Sequence, residues 1–148
     1  MNYNFECLNC GYTKFIPFEY GGFLYEDIVN NAFAGKYGND VKDFLEVFSN
    51  GKIDVERVVI VCKNCGNIEA VPNLSMYVPK DNTALNKGYV SRYELINEYI
   101  LFEKYHHRCS KCNRCSDIVV NDDMDDNLYC LKCPNCNSVL KITGFEHY

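Results

Sequence analysis

The stretch CSKCNRCSDIVVNDDMDDNLYCLKCPNC, residues 109–136, holds six of the chain's ten cysteines. A tetrahedral zinc takes four sulfurs, so which four bind decides how this end of the chain folds. The six stand symmetrically about Asp122-Asp123. Cys109 and Cys136 form the outer pair, Cys112 and Cys133 the middle pair, Cys115 and Cys130 the inner pair. Ile118-Val119-Val120 on one side and Leu128-Tyr129 on the other predict a β-hairpin with an acidic tip. Spacing alone admits several sets of four.

Backbone chemistry discriminates better. In a Cys-x-x-Cys knuckle the residue after the second cysteine commonly takes a positive φ, which suits Gly best and Asn next. Asn113 follows Cys112 and Asn137 follows Cys136, whereas Pro134, with φ locked near −65°, follows Cys133. The expected ligands are Cys109, Cys112, Cys133 and Cys136. Cys115 and Cys130 are left facing each other across the expected hairpin. Three readings stand for them: two small buried hydrophobes, a redox-sensitive disulfide, or extra ligands in a six-cysteine cluster of two zincs.

Two further knuckles lie upstream, Cys7-Leu-Asn-Cys10-Gly11 and Cys62-Lys-Asn-Cys65-Gly66. Each has Gly at the positive-φ position, and together they predict a closed four-sulfur site of Cys7, Cys10, Cys62 and Cys65. Four thiolates with no open position indicate a structural metal rather than a catalytic one.

These knuckles resemble the zinc-ribbon and rubredoxin-like family, with Cys7-x-x-Cys10-Gly11-Tyr12 close to the first rubredoxin knuckle. The chain departs from rubredoxins in the 51 residues between Cys10 and Cys62, in Lys63 where Pro is usual, and in having no Trp. Those departures favour zinc over iron. Residues 1–71 and 105–143 also resemble small bacterial proteins carrying two zinc ribbons. The shared segments are Cys7-x-x-Cys-Gly-Tyr, Gly35-Lys-Tyr-Gly, Gly51-Lys-Ile-Asp, Val61-Cys-x-x-Cys-Gly-Asn and Cys133-Pro-x-Cys. That resemblance implies a cytoplasmic metal-binding protein and no particular reaction.

Composition narrows the function classes. The chain has 148 residues, a net charge of −5 and a pI near 5.2. Such an acidic balance argues against nonspecific grip on a phosphate backbone. The opening residues have neither the charged head nor the apolar run of a signal peptide, and no window reaches membrane-span length. Ten cysteines without a secretory signal point to a reducing compartment, where paired cysteines bind metal.

Along the chain, Tyr12–Phe18 predicts a strand, broken by Gly21-Gly22. Phe23–Ala34 predicts a helix with Leu24, Ile28 and Ala32 in register. Asn39–Ser49 predicts a clearer one. Its Val41, Phe44, Leu45 and Phe48 share a face, Asn39 or Asp40 caps its start, and Gly51 follows its end. Arg57–Cys62 and Asn67–Val71 predict strands around the second knuckle. Residues 72–90, rich in Pro, Asn and Gly, read as a linker. Ser91-Arg-Tyr-Glu94 has capping-box spacing and leads into a helix through Leu95, Ile96, Tyr99 and Ile100. A strand near Phe102–Arg108 then approaches the third cysteine cluster.

The basic run Lys104, His106, His107, Arg108, Lys111 and Arg114, with Tyr105 inside it, reads either as a solvated face or as a nucleic-acid contact. His107 is an alternative ligand that four sulfurs make unnecessary. Asp122, Asp123, Asp125 and Asp126 lack a calcium-loop pattern and read as a solvated turn. There is no catalytic triad and no phosphate-cradling Gly loop.

The expected fold is small α+β, made of two zinc ribbons, each a rubredoxin-like treble of short antiparallel strands. The first occupies residues 1–71 with a helical insertion at 22–50. Residues 72–90 link it to 91–148, a helix followed by a C-terminal ribbon hairpin. The expected function is a non-enzymatic, cytoplasmic protein-interaction module with two zincs per chain. It has no membrane association and no evident small-molecule substrate. A nucleic-acid ribbon using residues 104–114 stands as one alternative. A redox protein, with iron at the first site or the Cys115/Cys130 dithiol, stands as another.

Overall fold

The computed structural model of the chain describes residues 2–17, 21–81, 88–115, 118–121 and 131–146. The fold is small α+β, with three three-stranded antiparallel sheets and three helices among those residues. The expected sequential division at 72–90 is not what the chain adopts. It weaves between two units. Unit 1 comprises Met1–Glu19, Arg57–Val71 and His106–Tyr148, and unit 2 comprises Tyr20–Glu56 and Pro72–Tyr105.

Unit 1 contains all the described cysteines and two sheets of the same plan. In the first, β1 (Asn2–Glu6) lies between β2 (Thr13–Pro17) and β9 (Lys141–Glu146). Phe5 stands opposite Lys14 on one side and Ile142 on the other. In the second, β4 (Arg57–Cys62) lies between β5 (Ile68–Pro72) and β8 (Ile118–Asn121). The run Val58-Val59-Ile60 is buried on successive residues, hence on both faces of β4, as in a strand covered on both sides. Phe5, Ile16, Val59, Ile68, Leu131 and Leu140 form one buried cluster, completed by Cys7 and Cys133. A core this thin contains two sulfurs of the metal-binding set. That explains how a metal adds what apolar burial does not supply.

The expected hairpin of Ile118–Val120 with Leu128–Tyr129 falls in part outside the described residues. Strand β8 is antiparallel to β4, with Ile60 opposite Val120 and Cys62 opposite Ile118. The acidic tip 122–126, Leu128, Tyr129 and Cys130 lie outside the described residues.

Unit 2 holds the helices α1 (Gly21–Phe33), α2 (Asn39–Val47) and α3 (Arg92–Glu98). Its sheet runs β3 (Lys52–Ile53), β6 (Met76–Pro79), β7 (Tyr99–Glu103). The helix stripes behave as expected. Ile28, Ala32, Val41 and Phe44 are buried with Ile53, Val55, Leu74 and Met76, and Leu24, Leu45 and Phe48 pack against them. Ser91 caps α3, its Oγ accepting the Glu94 N–H at 3.2 Å.

Three local expectations fail. The stretch read as linker contains β6, the central strand of its sheet. Pro72 ends β5 and Pro79 ends β6, positions where a missing N–H is tolerated. The strand before the third cluster is Tyr99–Glu103 rather than 102–108, because α3 stops at Glu98 and its apolar run continues extended. Gly38, φ 99°, precedes α2 with no side-chain cap, so neither Asn39 nor Asp40 serves as one.

Every second residue of 52–56 anchors the segment that leads into α3. Lys52 Nζ donates to Gly88 O at 3.0 Å, Asp54 pairs with Arg92 Nε at 2.9 Å, and Glu56 accepts from the Tyr89 hydroxyl. Asp54 is 2% exposed. Burial pushes its carboxyl up, and the Arg92 guanidinium only partly opposes that shift. Burial likewise lowers the Lys52 ammonium.

Candidate metal centres

All four knuckles fold alike. In each, the N–H of the residue after the second cysteine closes a turn on the carbonyl of the first. Gly11 N–H donates to Cys7 O at 2.9 Å, Gly66 to Cys62 at 2.7 Å, Asn113 to Cys109 at 2.8 Å and Asn137 to Cys133 at 2.9 Å. The first cysteine's own N–H reaches back across the turn, to Tyr12 O, Asn67 O, Arg114 O and Ser138 O respectively. The residue after each second cysteine has φ > 0: Gly11 81°, Gly66 78°, Asn113 64° and Asn137 64°. Those are the four positions that backbone chemistry singled out, and they identify the same eight cysteines.

The partnership between knuckles is different from the expected one. Cys7 and Cys10 meet Cys133 and Cys136, while Cys62 and Cys65 meet Cys109 and Cys112. The chain therefore nests its sites instead of placing them in series. The groupings Cys7/Cys10/Cys62/Cys65 and Cys109/Cys112/Cys133/Cys136 do not form. The cause is the sheet pairing. A knuckle joins β1 to β2, and the knuckle at 133–136 leads into β9, which pairs with β1. Another joins β4 to β5, and the knuckle at 109–112 leads towards β8, which pairs with β4.

The closest sulfurs across the outer site are Cys7–Cys136 at 3.4 Å and Cys10–Cys133 at 3.6 Å. Across the inner site they are Cys62–Cys112 at 3.5 Å and Cys65–Cys109 at 3.6 Å. Within each group all sulfurs lie within 4.8 Å of one another. A zinc–sulfur distance of about 2.3 Å gives a sulfur tetrahedron with edges of about 3.8 Å. Those contacts fall a few tenths of an ångström short of that edge, and the remaining edges stay within 4.8 Å. They are far too wide for disulfides, whose sulfurs sit about 2.05 Å apart. Both groups can therefore hold a tetrahedral metal ion, with every donor a sulfur.

In each knuckle the first cysteine is buried and the second reaches the surface. The second cysteines also collect the outer hydrogen bonds. Cys136 is held down to about 5, first by the Ser138 hydroxyl, then by the Asn9 side-chain amide, whose Nδ2 lies 3.5 Å from the sulfur. Cys112 is held down to about 6 by the Arg114 N–H and then by the Asn64 amide. Asn9 and Asn64 occupy the same third position of their knuckles, and each supports the second cysteine of the partner knuckle. Cys10 moves the other way, up to about 12. The Tyr12 N–H favours its thiolate, but burial and the crowding by Cys133, Cys7 and Cys136 outweigh that bond. Cys65 is pushed up to about 11, where the Asn67 N–H is outweighed by burial and by Cys109, Cys62 and Cys112. Without a cation, each cage divides its protons between reluctant and willing sulfurs. A bound cation displaces those protons.

Other contacts brace the knuckles. Glu69 of β5 accepts from the Ser110 N–H at 3.3 Å and from its hydroxyl. Arg108 Nη1 donates to Asn113 O at 3.2 Å, so part of the basic run is spent on holding the turn. His107 is buried and belongs to neither sulfur group. Cys115 is exposed and stands outside both groups. A cleft of about 590 Å³ separates residues Val61–Gly66 from Lys132–Asn137. Among the described residues its titratable lining groups, apart from cysteines, are Lys63 and Lys132. At its floor the two knuckles touch: a Cβ on Gly66 would lie 2.9 Å from Pro134 Cβ.

The nested order of the knuckles is the feature that sequence reasoning missed. A signal for it was present in the matched apolar runs Ile60–Cys62 and Ile118–Val120. Among the described residues no helix is long and apolar enough to cross a membrane. Comparison of the chain with protein-family models, with curated proteins and with solved structures gave no match.

Proposed function

We propose that the chain is a non-enzymatic zinc protein of a reducing, cytoplasmic compartment, in which two structural zincs hold two ribbon-like sheets. It presents the surfaces of those sheets to a protein partner. The observation that carries this reading is the pair of closed all-sulfur cages. A catalytic zinc keeps a position open for water or substrate, and four sulfurs at tetrahedral spacing leave none. Cys7, Cys10, Cys133 and Cys136 would hold one ion, and Cys62, Cys65, Cys109 and Cys112 the other. The bound ion would supply folding free energy, about 10–16 kcal/mol for small structural zinc sites. Among the described residues the cleft between the knuckles offers two ammoniums, which fits the binding of an acidic partner surface.

Metal analysis of the purified chain tests the proposal. Two zincs per chain in a colourless protein, and loss of ordered structure on chelation, are expected. A coloured iron protein, or one with a metal that turns over a substrate, would refute it. Affinity capture from the native cell, with the metal-loaded chain against the chelated chain as bait, tests the partner. Capture that is insensitive to metal would contradict presentation by the ribbons.

A further inference from the structure

The nested arrangement has a competitor built from the same knuckles. Each knuckle closes through its own backbone bonds and has a positive-φ residue after its second cysteine, Gly in two knuckles and Asn in the other two. That backbone closure is complete within each knuckle, whichever knuckle it faces. The choice between pairings falls to the chain that joins them.

That chain favours the wrong choice. Cys10 and Cys62 are 52 positions apart, and Cys112 and Cys133 are 21 apart. The native inner closure, Cys65 to Cys109, spans 44 positions. The native outer closure must then span the 52 and 21 positions left outside the inner loop, 73 in all. Loop-closure entropy grows with the logarithm of these lengths. It favours the serial pair of sites over the nested pair by about fivefold. Chain growth acts in the same direction. Synthesis at about 5–20 residues per second exposes the first two knuckles for seconds before the third exists.

Resting on the zinc reading above, we infer that the serial groupings, Cys7/Cys10/Cys62/Cys65 and Cys109/Cys112/Cys133/Cys136, are transient metal sites on the way to the native fold. The native pairing is then reached by zinc exchange between knuckles. The pairings of β1 with β9 and β4 with β8, together with the shared cluster of Phe5, Ile16, Val59, Ile68, Leu131 and Leu140, select it. The partly exposed second cysteines are suited to such exchange, because an incoming thiolate can reach the ion without prior unfolding.

Refolding of the full, reduced, metal-free chain tests this. Zinc uptake is read by competition with a chromophoric chelator, and native packing by tyrosine near-ultraviolet circular dichroism. Uptake of two zincs should precede native packing in about five chains of six. Excess zinc should lengthen the lag, and a weak chelator that shuttles zinc should shorten it several-fold. Proline isomerisation, the other slow process on this scale, does not respond to a zinc shuttle. A single phase in which uptake and packing coincide would overturn the inference. So would a lag indifferent to both excess zinc and shuttle. Failure to take up two zincs would instead refute the metal reading itself.

Discussion

Two glycines with the same backbone conformation occupy different surroundings, and the comparison isolates one contact of the nested arrangement. Gly11 and Gly66 each follow the second cysteine of a knuckle, with φ of 81° and 78°. An alanine at either position pays about 1–2 kcal/mol for the left-handed backbone. At Gly11 nothing else lies within 4 Å of the new Cβ, whereas at Gly66 it meets Pro134 Cβ at 2.9 Å and Pro134 Cα at 3.0 Å. Those partners are ring and backbone atoms that do not swing aside. Overpacking of this kind costs about 1–3 kcal/mol. Gly66→Ala should therefore destabilise the zinc-loaded chain by about 1–3 kcal/mol more than Gly11→Ala does. Guanidinium unfolding at buffered free zinc reads the difference, provided the slopes agree. Pro134→Gly removes one of the clashing carbons, so the double variant should recover part of the excess. Equal costs for the two alanines, with no coupling to Pro134, would refute the contact between these knuckles. With it would go the nearness of the inner and outer sites.

Other consequences follow from the same geometry. Asp54→Ala strands the Arg92 guanidinium, whose Nη2 already lacks a hydrogen-bond partner among the described residues. The loss should approach the ~3–5 kcal/mol of a fully buried pair, reduced because Arg92 is 28% exposed, and urea unfolding measures it. Asn9→Ala and Asn64→Ala each remove an amide from the partner knuckle's second sulfur, and each should weaken zinc at its own site by about tenfold, read by chelator competition. Acidification should release the metal. The low values of Cys136, about 5, and Cys112, about 6, mean their thiolates favour the folded cage above the ordinary thiol range. That contribution is lost as the pH falls through those values. A zinc-release curve complete well above them would contradict the assignment.

Much of the site was legible in local chemistry. Asn113 and Asn137 after their cysteines, and Pro134 after Cys133, identified the knuckles because a positive φ is a property of one residue and its neighbours. The face of α2 and the Ser91 cap were legible for the same reason. What failed was long-range or marginal. Four knuckles with equal internal bonding give no sign of which one each will face, and that choice lies in strand pairing across most of the chain. Strand β6 has four residues and ends on Pro79, too short to show a period against linker-like surroundings. Tyr99 and Ile100 continue the α3 pattern in sequence, yet the backbone leaves the helix at Glu98 to pair with β6.

The nested pairing itself is tested most directly by replacing zinc with cadmium and recording scalar couplings between the cysteine β-protons and each metal nucleus. One cadmium should couple to Cys7, Cys10, Cys133 and Cys136, and the other to Cys62, Cys65, Cys109 and Cys112. A single cadmium coupled to both Cys7 and Cys62 would contradict it.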